Sequence, residues 1–137
     1  MRLTTSITLA SVLLAATAVR AEPPANVANT TWTLQVNSSI ETLFIDTQGG
    51  PGAPGAANCR SIRGEVRGVA PVNGWYCPST GRIHFVHRNL DSGAPMRVFT
   101  GSVSDAVAGL PLAMAGTVTI LNAVFGDLGE YNFAASE

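Results

Sequence analysis

The sequence predicts an all-β fold: an eight-stranded antiparallel up-and-down β-barrel carrying one disulfide. Three observations predict it. Short runs with strand character recur at roughly regular spacing. Clusters of Gly, Pro, Asn and Ser separate them. No segment combines a helix cap with a 3.6-residue apolar period. Eight such runs read as a sandwich or a barrel. Every connection is short enough for neighbours to pair antiparallel, and closing the meander removes exposed edges, which favours the barrel.

The chain has 137 residues, enough for one domain. Residues 1–21 read as a secretory signal peptide: Arg2, an apolar run from about Ile7 to Ala18, then small residues ending at Ala21, with cleavage after Ala16 or Ala18 as alternatives. Residues 22–30 form a Pro/Ala linker and residues 31–137 the barrel. The first strand is Trp32 to Val36, with Trp32, Leu34 and Val36 on one face. Ile40 to Asp46 is the second. Gln48 to Ala57 is rich in Gly and Pro and reads as a loop. Arg60 to Arg67 alternates again, with Ile62, Gly64 and Val66 on one side. Gly74 to Cys77, a tight Pro78–Gly81 turn and Arg82 to Arg88 make the clearest hairpin. Met96 to Val103, Leu112 to Leu121 behind Pro111, and Gly129 to Ala135 complete the set.

Beyond the leader the chain carries six arginines, no lysine and nine carboxylates, a net charge of −3. That balance argues against a general nucleic-acid binder. All six arginines lie between Arg60 and Arg97, so the middle is basic and both ends are acidic. Cys59 and Cys77 are an even pair in an exported chain and read as one disulfide. Closing the 17 residues between them stabilises by about 3 kcal/mol on chain-entropy grounds. The uncharged stretch Ala106 to Phe125 contains Gly109, Pro111, Gly116 and Asn122, so it reads as strand and loop and no membrane span is expected in the mature chain.

Several motifs resemble the avidin/streptavidin-type barrel, over about Thr31 to Ala135. They are Thr31-Trp32-Thr33, Ile62-Arg63-Gly64, Arg82-Ile83-His84-Phe85-Val86, Val98-Phe99-Thr100-Gly101 and Met114-Ala115-Gly116-Thr117. The resemblance implies a non-catalytic binding protein with a small-molecule pocket, biotin in that family, and a homo-oligomer joined through barrel walls. Trp32, Thr100 and Asn132 match positions of functional or supporting residues there. Leu34 stands where the family has a polar contact, and His87 and Val118 fall near two of its tryptophan positions. Apolar replacements weaken a hydrogen-bonding pocket, so the expectation is a shared barrel that has lost biotin binding. A bacterial metalloprotease-inhibitor family also has an eight-stranded barrel with one disulfide, and there an exposed N-terminal segment enters the protease. Glu22 to Asn29 would play that part, making a secreted protein the partner.

Candidate site residues follow from the same reading. A pocket needs aromatic walls and a few polar groups, and Trp32, Trp75, Tyr76, His87 and Tyr131 supply them, with Thr100 and Asn132 from the resemblance. No catalytic motif such as a nucleophile elbow is present. His84 and His87 point to opposite faces of one strand and do not share a metal ion; no cofactor is called for. Asn29-Thr30-Thr31 and Asn37-Ser38-Ser39 match the N-glycosylation pattern, which bears on a eukaryotic product. The expected location is secreted, extracellular or periplasmic.

Overall fold

The structure is a computed structural model and describes residues 22–51, 58–122 and 124–137. Residues 1–21, the expected signal peptide, lie outside the described residues. Eight strands follow in order: β1 (Thr30–Val36), β2 (Ser39–Pro51), β3 (Arg60–Val66), β4 (Ala70–Cys77), β5 (Arg82–Arg88), β6 (Pro95–Val103), β7 (Ala113–Asn122) and β8 (Gly126–Ser136). Each pairs antiparallel with its sequence neighbours, and β8 returns to β1, so the sheet closes into a barrel. The closing seam sets Leu34 against Ala135 and Val36 against Phe133.

Strict alternation makes this closure stable. Along β1, Trp32, Leu34 and Val36 are buried while Thr31, Thr33 and Gln35 face water. The inward positions of the strands join into one apolar cluster that includes Leu43, Ile62, Ile83, Met114 and Val118. Phe85, Phe99 and Phe133 meet at its centre, Phe85 stacked on Phe99 at 4.4 Å and Phe133 edge-on to Phe99 at 5.2 Å. Gly101 and Gly116 sit opposite each other beside these rings. A methyl group on either would run into the backbone of the facing strand, so only glycine lets the wall come this close.

Three boundaries differ from the sequence reading by more than two residues, and β1 begins two residues early, at Thr30. Residues 48–51 are not loop: Gln48, Gly49 and Pro51 pair with Ile62, Ser61 and Arg60 and carry β2 onward. Glycine and proline are tolerated there because the stretch is a strand end with register shifts. Residues 52–57 of the expected loop lie outside the described residues. β4 begins at Ala70 rather than Gly74, with Pro71 opposite Glu65. β8 begins at Gly126, three residues before Gly129, and a register shift at Ile120/Leu121 accommodates Leu128.

The ends of the barrel are built differently. At one, the disulfide Cys59–Cys77 joins the start of β3 to the end of β4. Residues 22–29 lie across this end. Val27 is fully buried, and Gln48 receives its N–H and donates to Ala25 O. Tyr76 donates its hydroxyl to Pro24 O at 2.6 Å, and Ala106 N–H donates to Glu22 O. The turns between β1 and β2, β3 and β4, β5 and β6, and β7 and β8 gather at the other end.

Candidate functional site

The seven sequence-derived site residues separate by strand parity. Trp32 and Tyr76 are fully buried in the lumen, and His87 is inward and buried. Trp75, Thr100 and Asn132 stand on the outer wall, one residue out of phase with Tyr76, Phe99 and Phe133. Tyr131 has inward parity, but it lies where β8 overhangs the turn end and is 39% exposed. The seven therefore do not line one cavity.

Inside, the polar groups of the three lumen residues are already engaged. Trp32 Nε1 donates to Thr30 Oγ1 at 2.7 Å, and Thr30 Oγ1 in turn donates to Val27 O. Tyr76 donates its hydroxyl to Pro24 O. Burial, with Asp105 adding to it, pushes its pKa up to about 12. An eight-stranded barrel has room for its own side chains or one small ligand, and here the aromatic and aliphatic side chains occupy it.

His87 belongs to a network beneath the turn end that the sequence reading missed. Glu41 is buried and accepts from Arg67 at 2.6 Å and Arg97 at 2.7 Å. Arg97 Nε donates to His87 Nδ1 at 3.0 Å, and its guanidinium lies over Phe99. Burial would raise the Glu41 pKa, but the hydrogen bonds and charges of Arg97 and then Arg67 outweigh it, so the carboxyl sits below its ordinary value. Burial lowers the His87 pKa, and Arg97 lowers it further. Neutral His87 accepts from Arg97; a protonated ring would face it with a second donor. Arg67 reaches Glu41 from a left-handed backbone, φ 57°, in the β3–β4 turn. Parity carried the missed signal: Glu41 is in phase with Leu43 and Ile45, and Arg97 with Phe99. Each is a charge at an inward position and needs a partner there.

Outside, register assembles what parity separates. Trp75 lies opposite His84, His84 opposite Thr100, Thr100 opposite Thr117, and Thr117 opposite Asn132. These five residues form one row across β4 to β8. Trp75 and His84 stack with centroids 5.5 Å apart, and His84 Nδ1 is 3.1 Å from Thr100 Oγ1. Burial lowers the His84 pKa, which keeps the row uncharged at neutral pH. His84 and Thr117 are its unforeseen members. Such a row offers a stacking platform, hydroxyls and an amide, the chemistry of a polar recognition surface rather than of bond cleavage. Among the described residues no three His, Cys, Asp or Glu side chains gather as a metal set, and no helix is long and apolar enough to cross a membrane. No family model, curated protein or solved structure matches this chain.

Proposed function

We propose that the mature chain is an exported, non-catalytic binding protein, an avidin-like barrel that recognises a protein partner through its outer wall. One observation carries this reading. The lumen positions hold packed side chains whose polar atoms are engaged within the protein, while Trp75, His84, Thr100, Thr117 and Asn132 form a row on the exterior. The disulfide is compatible with an oxidising compartment. The N-terminal segment supports the wall over the inhibitor-like arrangement, because Val27, Pro24 and Ala25 are tied to the barrel instead of projecting.

The test is chemical cross-linking in the exported fraction of the producing cells. It compares the wild-type chain with a Thr100→Arg, Thr117→Arg variant whose circular dichroism is unchanged. The reading predicts a cross-linked protein partner that the wall variant loses. A partner retained in full by the wall variant would contradict it, as would saturable heat on titration with biotin.

A further inference from the structure

The barrel is not covered evenly by its closing seam. β8 pairs with β7 from Ser136 back to Gly126, but its register with β1 stops at Phe133. Among the described residues, 126–132 therefore have no strand on the β1 side. A notch of about 550 Å³ lies there, bordered by Gln35, Asn37 and residues 130–134. Every second residue of an uncovered strand turns an N–H and a C=O outward, a template for another extended chain.

We propose that this uncovered edge of β8 binds an extended polypeptide segment bearing basic and apolar side chains, added as a further strand end-on to β1. The inference rests on the reading of a protein partner at the outer wall, since Asn132 belongs both to the row and to the notch. Three observations name the occupant. Asp127 and Glu130 lie on this stretch, and neither is paired with an arginine among the described residues. Residues 22–59 and 104–137, which include β1, β2, β7 and β8, contain seven carboxylates and no basic residue. All six arginines fall on β3 to β6 or the turn between β3 and β4, and Arg97, in register with Gly129 through Ile120, is engaged by Glu41. Apolar side chains flank it: Leu128 is 48% exposed and Phe125 is 77% exposed. A second copy fits less well, because edge-to-edge pairing would bring two Asp127 and two Glu130 into one narrow ribbon. The irregularity at Leu128 and the left-handed Gly129 (φ 121°) also limit the regular edge to residues 129–132, enough for a short segment and too short for a long self-pairing.

The experiment uses the mature oxidised chain and synthetic peptides of about six residues, a typical strand length. One peptide alternates lysine with valine, a second has glutamate for lysine, and a third is the lysine peptide N-methylated at every residue, so that neither of its edges can donate. Affinity is read by fluorescence titration and location by amide hydrogen exchange. The lysine peptide should slow exchange at residues 129–132 and bind about tenfold more tightly than the glutamate peptide. Glu130→Lys should invert that preference, and N-methylation should abolish binding. The proposal is overturned if the lysine peptide does not bind, if it protects a different strand, if Glu130→Lys leaves the preference unchanged, or if the N-methylated peptide binds as well. Such a failure leaves the wall reading standing when the Thr100→Arg, Thr117→Arg variant still loses its cross-linked partner.

Discussion

Glu41 shows how a single residue governs one end of this barrel. Its two arginine partners differ in environment: the Arg97 side chain is 12% exposed and that of Arg67 64%. Removing one partner of a buried ion pair leaves a charge without compensation, whereas an exposed arm is screened by water. Arg97→Ala should therefore lower unfolding stability by about 3 kcal/mol, and Arg67→Ala by less than about 1 kcal/mol, measured by chemical denaturation. Equal losses would contradict this division. Glu41 and the two histidines, His87 beside it and His84 on the outer row, set the acid limb of stability. His84 and His87 have folded pKa values below the ordinary 6.5, so the unfolded chain takes up these protons first. Their contribution is complete above pH 6.5 and is lost as the pH falls from there towards the folded values. Glu41, also lowered, adds stability above its ordinary 4.5 that disappears at still lower pH. Denaturation midpoints followed from pH 8 down to about pH 2 should fall in two stages, the lower one below the ordinary Glu41 value, and the upper stage should shrink in a His87→Gln variant. Parity made much of this legible. Trp75 and Thr100 are outward because Tyr76 and Phe99 are inward, and the alternation is written in the sequence. The row they form with His84, Thr117 and Asn132 was not legible, because register depends on turns and bulges that alternation does not fix.

At the scale of elements, the strands with regular alternation and turn signals were readable, and β3, β5, β6 and β7 lie within one residue of their expected bounds at each end. The extensions of β2, β4 and β8 were hidden by Gly49-Gly50-Pro51, Pro71 and Gly126, residues that mark breaks in isolation but are accepted at strand ends and bulges. The segment 22–29 was hidden for a different reason. Its sequence reads as a linker, and only the surrounding barrel shows that Val27 is buried and that Tyr76 and Gln48 hold the backbone. Replacing Val27 by Asp puts a charge in that closed end, and truncation to Thr30 removes the buried side chain together with its hydrogen bonds. Truncation should cost about 2 to 4 kcal/mol, combining lost apolar burial with unpaired polar groups. Thermal unfolding of the truncated chain would measure it, and an unchanged midpoint would show that the segment is not docked.

For the whole molecule, ring closure turns a pattern along the sequence into a pattern in space. The arginine-bearing middle becomes one continuous half of the wall, β3 to β6, and the acidic ends meet as the other half, β7, β8, β1 and β2. A barrel polarised across its axis attracts partners in a preferred orientation, and salt screens that attraction within about 10 Å at 0.1 M. Association with the lysine–valine peptide should accordingly slow as salt is raised, with a smaller effect on dissociation. Under this account the interior stabilises the fold and the exterior recognises the partner. Xenon-dependent NMR of the methyl-labelled protein tests that division most directly, since xenon enters empty apolar cavities and reports on the methyls around them. A packed lumen predicts no saturable shift at Leu34, Leu43, Met114 or Val118; a saturable shift at those methyls would reveal room for a ligand inside the barrel and contradict the account.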